Sequence, residues 1–481
     1  MKRLLSLLLP LLAALTLCST VWAEEDTAPA IGVGTDGIYG AHGSNLYLGN
    51  WKSHPILWWV LSTNGSGGTY TDAQGQPVAQ EDAIFLLTAN LIETGALDNT
   101  RVQPGDPFVF DYLKFSSRNE WCPQFFSDTF NAGEQLAILN TSKAKDGAVV
   151  LVESTGLLLT KEKSPALEND KVFIPSAEEL CTEAYGFAAA PVAQDRKRDA
   201  IPFDKEYARM YFVRSELNYE TQGGMMGCIL ENSGGQVAIA PMAWWLPGFN
   251  YFRPATNLNA ACIVLNTAVE GGKTETQGLA AVAADGPRDA ARKLTLLDDS
   301  RSNFSVSTAT VTNGTAVFTY ENASVGGNEY LSALICDGEG RVLYYGWLEA
   351  LTDETGTSGT VELDVSGLPL SNGNTLYVFN EQCNGLTYTD YSSPLRPVTL
   401  KYPQSENLQP EPSEPETPQP EDPRPETAKS RRLPSQNPQP ENTGDNIDSP
   451  KTADAGIACY FAAAALTSLW GAVYITTNKR R

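Results

Sequence analysis

The side chains able to do chemistry are unevenly supplied. There are only two histidines, His42 and His54, so His-based nucleophilic catalysis or metal ligation is confined to one short region. Neither lies in a phosphate loop, a nucleophile elbow or an H-E-x-x-H pattern. His42 sits in Gly40-Ala41-His42-Gly43, which reads as a loop. Carboxylates are plentiful, 57 Asp and Glu against 34 Lys and Arg. A pair of them could serve glycoside hydrolysis, but no spacing singles one pair out. Cys122, Cys181, Cys228, Cys262, Cys336 and Cys383 contain no C-x-x-C spacing, which argues against a zinc knuckle or a thioredoxin-like site. Trp244, Trp245, Tyr251 and Phe252 are dense aromatics beside Pro and Gly. They could floor a ligand groove, and packing in a core is the competing use. No metal and no cofactor is expected.

The formal charge of −23 repels phosphate polymers, so nucleic acid is not an expected partner. Arg196-Lys197-Arg198 is a short internal basic run and reads as a solvated loop.

Both ends carry targeting patterns. Lys2 and Arg3 precede an apolar stretch, Leu4 to Leu17, and Val21-Trp22-Ala23 supplies small residues for signal cleavage between Ala23 and Glu24. Residues 1–23 are therefore expected to be a signal peptide. At the other end 456–477 is apolar and uncharged, long enough as a helix to cross a hydrocarbon core of about 30 Å. Trp470 and Tyr474 lie toward one end, and Lys479-Arg480-Arg481 closes the chain in the manner of a cytoplasmic tail. Ser449-Pro450-Lys451-Thr452-Ala453 stands just before the span. This Pro-x-Thr element, apolar span and basic tail resemble the sorting signal of Gram-positive surface proteins. The resemblance implies a sortase that cuts between Thr452 and Ala453 and joins the chain to cell-wall peptidoglycan. Ala453 stands where the family has Gly, and Ser449 where it has Leu. Retention as a single-pass membrane protein is the alternative.

Between the ends, 24–45 reads as irregular. Residues 46–270 read as an α+β domain of short strands and few helices. Ile56–Leu61 and Ala83–Thr88 have strand length. Trp121, Phe125, Phe126, Phe130, Leu136 and Ile138 recur at helical spacings broken near Asn131-Ala132-Gly133. Ser176 and Glu179 have the capping-box spacing, which predicts a helix to about Phe187. Residues 271–297, rich in Gly and Ala, read as a connector between two separately folding domains. Over 298–402, seven runs rich in Val, Thr, Tyr and Leu are punctuated by Asn313-Gly314, Asp337-Gly338 and Asn372-Gly373. That pattern predicts an all-β immunoglobulin-like sandwich. In an exported chain it would allow a disulfide between Cys336 and Cys383 across the sheets. Residues 403–448 read as a disordered Pro/Glu-rich stalk. Twelve of the chain's 30 prolines fall between 403 and 450, a composition that builds no core.

One set of residues resembles something known. Ile56-x-Trp58-Trp59-Val60-Leu61, Phe85-Leu86-Leu87, Asp170-Lys171-Val172-Phe173-Ile174-Pro175-Ser176-x-x-Glu179, Trp244-Trp245-Leu246-Pro247-Gly248 and Tyr251-Phe252-Arg253-Pro254-Ala255-x-Asn257-Leu258 look like an uncharacterised domain of Gram-positive surface proteins. Its members carry a WWLRSPG element followed by GVRPA. This chain lacks the Arg-Ser of the first element. The resemblance implies an irregular, loop-rich fold, distantly similar to C-type lectins and formylglycine-generating enzymes. It assigns no catalytic residue.

The expected protein is a cell-surface display protein, anchored in wall or membrane, that adheres to a glycan or protein ligand. A carboxylate-dependent surface hydrolase in 46–270 is the alternative. A structural or sensing single-pass envelope protein is a third reading.

Overall fold

Alternating apolar side chains set the first strands. Ile31–Val33 (β1), Asn45–Trp51 (β2) and His54–Ser62 (β3) turn Ile31, Leu46, Leu48, Ile56, Trp58 and Val60 inward. Lys52 and Ser53 make the two-residue turn between β2 and β3, with φ of 49° and 69°. Two positive φ values give the turn whose twist suits a hairpin, here without Asn or Gly. Ala83–Thr88 (β4) is buried at every position, as befits a strand covered on both faces.

The computed structural model describes residues 27–96, 111–144, 159–160, 165–189, 192–193, 195, 197–205, 209–219, 225–232, 236–242, 250–274, 276–283, 286–370 and 373–402. The signal peptide with its Ala23-Glu24 cleavage site, the stalk, the sorting signal, the span 456–477, Trp244 and Trp245 lie outside these residues. Among the described residues no helix is long and apolar enough to cross a membrane.

Among the described residues, α-helix is confined to one corner. A π turn over Ser117–Trp121 runs into Cys122–Thr129 (α1), and Ala132–Ala137 (α2) follows a break at Phe130 and Asn131. Pro123, in the first turn of α1, lacks an amide hydrogen just where the π turn gives way to the α-helix. Asn131 starts α2: its side chain accepts from the Gly133 and Glu134 amides, and Glu134 accepts from the Asn131 amide. Phe125 packs 5.3 Å from Trp51, and Phe130 lies 6.1 Å from Trp58. The helical corner is thereby fixed to β2 and β3.

Val172–Phe173 (β5), Ala255–Asn259 (β6), Ile263–Ala268 (β7) and Ala291–Leu297 (β8) complete the N-terminal part of a sheet that continues into the C-terminal part. There Glu329–Cys336 (β9), Val342–Ala350 (β10), Thr375–Gln382 (β11) and Asp390–Ser392 (β12) take over. The path runs β5-β6-β4-β3-β2-β8-β12-β11-β9-β10. β8 is the join. Its residues 291–293 pair in parallel with 45–47 of β2, and its residues 295–297 pair in parallel with 390–392 of β12.

A second, five-stranded sheet, with Thr315–Glu321 and Gly359–Asp364 as its longer strands, covers β9 and β11. Phe304, Phe318, Leu331, Val361 and Val378 fill the space between the two sheets. A further small cluster joins Ile31 and Leu265 to Leu334, Tyr345 and Phe379. The described chain is mostly β-sheet, in several sheets.

Several expectations are corrected. Residues 27–33, read as irregular, contain two short strands, and Ile31 is fully buried. The helix expected to Phe187 is two 3₁₀ turns, Glu179–Cys181 and Glu183–Tyr185. Its capping box forms, with Ser176 and Glu179 exchanging bonds of 3.1 and 2.8 Å. Thr182 then goes extended, and Glu179 is drawn to a buried arginine. The connector 271–297 is no loop throughout, because β8 lies in it. In the run read as a solvated loop, Arg198 is not solvated. Arg198 is fully buried and bonds Asp195 Oδ2 and the Ala188 carbonyl, each at 3.0 Å. Cys336 and Cys383 are both free thiols. Antiparallel register sets Cys336 opposite Thr375, while Cys383 follows Gln382, which faces Glu329. Eight residue steps, from 375 to 383, separate the two cysteines along the ladder, roughly 26 Å at about 3.3 Å per residue, far beyond disulfide reach.

Candidate functional site

A cleft of about 600 Å³ opens where α1 and α2, the β2 strand and the loop before β12 meet. Its walls are amides and phenols: Asn50, Asn131, Gln382, Asn384, Tyr388 and Tyr391. Each is brought there for a local reason. Gly49 has φ of +75°, and a Cβ on it would strike Phe130 and Thr129 below 3.0 Å. The left-handed turn at Gly49 therefore presses β2 against the helix break and leaves Asn50 at the rim. Gly133 has no side chain to obstruct the Tyr391 ring, which a Cβ would meet at 2.3 Å. The Tyr391 hydroxyl donates to Asn131 Oδ1. Asn50 Nδ2 donates to the Tyr388 hydroxyl at 3.3 Å across the mouth. Tyr388 is 48% exposed, so its ring is available to a ligand.

Glu134 is the one carboxylate in the lining. Burial pushes its pKa up, against the pull of the donors around it. Oε1 accepts from Thr389 Oγ1 at 2.5 Å and from the Gly49 amide at 3.1 Å, and Oε2 from the Asn131 amide at 3.0 Å. Both oxygens are thus committed to holding three segments of chain together. Among the described lining residues no second carboxylate stands beside Glu134 to make the pair usual in glycosidases.

Of the aromatics singled out from sequence, the two that are described go elsewhere. Tyr251 and Phe252 are buried in the N-terminal core. Phe252 lies 4.2 Å from Trp121 and closes a separate hollow of about 210 Å³ beside Gly95. His54 stacks on Phe203.

The residues of the sequence signature act as latches. Arg253 donates to the Thr88 carbonyl at 2.9 Å and the Tyr211 hydroxyl at 2.8 Å, with its guanidinium over Trp59 and Tyr211. Asn257 bonds Ser66 and Thr141. Glu179 takes a two-pronged ion pair from Arg214, at 2.6 and 2.8 Å, with both side chains buried. Burial alone would raise the Glu179 carboxyl; the Arg214 guanidinium outweighs it and brings it down to about 2.

One group of side chains among the described residues has metal-ligand spacing: Glu381, Cys383 and Asp390, with ligand atoms within 4.8 Å of one another. Lys273 Nζ lies 2.5 Å from Glu381 Oε1 and 2.5 Å from Asp390 Oδ2, so an ammonium already sits where a cation would be held. Burial pushes the Cys383 thiol up, away from the thiolate that a metal prefers. Sequence reading missed both the cleft and this cluster. The only local hint was the density of Asn, Gln and Tyr between 380 and 391.

No protein-family model, no curated protein and no solved structure matches this chain.

Proposed function

We propose that this chain is a surface-displayed binding protein and that the cleft between Asn50, Asn131 and Tyr388 takes a glycan. The cleft lining carries the reading. At the rim the half-buried Asn50 carboxamide beside Tyr388 offers a donor and an acceptor from one side chain, which suits vicinal sugar hydroxyls. Asn131, Gln382 and Asn384 are bonded within the protein and shape the wall. An exposed phenol offers a flat face to the C–H side of a sugar ring. The net charge of −23 disfavours polyanionic ligands and favours neutral ones. Anchoring rests on the sequence alone: the signal at Ala23-Glu24, the Ser449-Pro450-Lys451-Thr452-Ala453 motif and the span 456–477 point to sortase-linked display on peptidoglycan. The two-sheet packing over 298–402 supports an immunoglobulin-like arrangement of that region, joined through β8 to the N-terminal part.

A panel of neutral oligosaccharides, assayed by calorimetry against wild type and Tyr388→Ala, tests the binding site. Binding lost in the variant with an unchanged melting temperature supports it. Turnover of an oligosaccharide would favour a surface hydrolase instead, and an absence of binding across neutral glycans removes the reading. Anchoring is tested on muramidase-released protein. A C-terminal peptide ending at Thr452 linked to wall fragments supports sortase; a retained Lys479-Arg480-Arg481 tail means membrane retention.

A further inference from the structure

We infer that Lys273 and Asp390 are built to form an intramolecular amide bond between their side chains. Neither a glycan ligand nor a wall anchor bears on this bond.

The two partners are already at contact distance. Lys273 Nζ is 2.5 Å from Asp390 Oδ2, and the Asp390 side chain is fully buried while that of Lys273 is 13% exposed. An ion pair in such a site loses most of its hydration, and the low dielectric favours species without charge. Condensation of the ammonium with the carboxylate yields an uncharged amide. Holding amine and carboxyl in contact supplies the effective concentration that the reaction lacks in water, as much as about 10⁵–10⁸ M in well-oriented systems. Burial acts to lower the Lys273 pKa, and the two carboxylates beside it outweigh burial and raise it. The ion pair is therefore the state before reaction, and a proton acceptor at the nitrogen is required.

Glu381 is that acceptor. Its Oε1 lies 2.5 Å from Lys273 Nζ. Its Oε2 accepts from the Tyr345 hydroxyl at 2.6 Å, which fixes the carboxylate in place. Thr295 Oγ1 lies 2.8 Å from Lys273 Nζ and orients the amine. The other oxygen of Asp390, Oδ1, is met by the Asn384 amide at 2.6 Å and by Lys293 Nζ at 2.8 Å. These two donors face the oxygen on which negative charge grows when the carbon is attacked, the arrangement that stabilises an oxyanion.

The balance closes without an outside reagent. Lys273 enters as an ammonium with three protons and Asp390 as a carboxylate. Glu381 takes a proton from nitrogen and delivers it to Oδ2, then relays a second one. The Nζ–Cγ bond forms, the Cγ–Oδ2 bond breaks, and Oδ2 leaves as water with both protons. Nitrogen keeps one proton, Glu381 returns to its starting form, and nothing is oxidised or reduced. Charge balance alone accounts for two lysines beside two carboxylates. It does not account for the Asn384 amide aimed at Asp390 Oδ1 while the amine and its proton acceptor meet at Oδ2.

Peptide mapping of the purified full chain by mass spectrometry decides it. The expected result is a branched peptide containing Lys273 and Asp390, lighter by one water than its two linear parts. Glu381→Gln should yield the two linear peptides instead. Should that variant fail to fold, the wild-type map is sufficient by itself. Linear Lys273 and Asp390 peptides in aged, folded wild-type protein would overturn the inference. So would a branch at Lys293 in place of Lys273.

Discussion

Thr389 and Asp390 are neighbours in the chain and serve opposite sides of it. Thr389 Oγ1 donates to Glu134 in the cleft wall, and Asp390 Oδ2 accepts from Lys273 in the buried cluster. Successive residues of an extended chain point to opposite faces. One step of sequence therefore separates the proposed ligand surface from the charges behind it. A slip of register in β12 would disturb both together.

Thr389→Val keeps the shape of the side chain and removes the donor to Glu134. The loss of one charge-assisted bond in a buried setting is expected to cost about 1–3 kcal/mol. Chemical denaturation of wild type and variant, compared at equal slope, measures it. A variant as stable as wild type would show that Glu134 does not hold the cleft closed.

The Glu179–Arg214 pair predicts a particular acid response. Glu179 titrates at about 2 in the folded chain and near 4.3 when unfolded. A depressed folded value means that its stabilisation is present above the unfolded pKa. It is lost as pH falls from about 4 toward 2. The contribution is on the order of 3 kcal/mol. Glu179→Gln should be less stable at neutral pH and should not show this loss between pH 4 and 2. Denaturation midpoints across that window give the comparison; parallel curves for the two proteins would rule the pair out as the cause.

Arg253→Lys should be costly although it keeps the charge. Lysine cannot reach the Thr88 carbonyl and the Tyr211 hydroxyl together, nor lie flat between Trp59 and Tyr211. A loss of about 2–4 kcal/mol is expected, read as a lower melting temperature. Tolerance of lysine there would mean that the charge, and not the planar fork, is what matters.

Expression of 298–402 alone removes β8, the strand that joins Asp390–Ser392 to the N-terminal sheet. The fragment is expected to aggregate or stay unfolded, while one spanning 27–402 unfolds in a single transition. Circular dichroism and analytical ultracentrifugation separate the outcomes. A folded monomeric fragment would restore the connector reading of 271–297.

Much of the sheet was legible. Ala83–Thr88 matches its strand residue for residue, and Asn313-Gly314 turns with φ of 51° and 81° as that pair should. β2 escaped notice because its hairpin turn is Lys52-Ser53, which carries no turn signature. β8 escaped because it sits in a stretch whose Gly and Ala content reads as linker. The site was hidden for a different reason. Lys273, Glu381 and Asp390 are ordinary charged residues by sequence, and only pairing across more than a hundred positions makes them a cluster. Arg198, Arg214 and Arg253 were hidden likewise, since charge normally signals surface. The signature motif was visible, and its described residues Phe85, Phe173, Arg253 and Asn257 turn inward.

The pairing of β8 also sets a clock. Its first half meets residues 45–47, and its second half meets residues 390–392. β1 in turn waits for Leu265 to Thr267. A chain emerging from its N-terminus must leave these early edges open until most of the sequence has been made. Pairings so distant make for slow folding, and long-lived open edges invite aggregation. A late strand, Asp390–Ser392, supplies Asp390 to the buried cluster and Tyr391 to the cleft. Both features can therefore come into being only after nearly the whole of the folded sequence has been made.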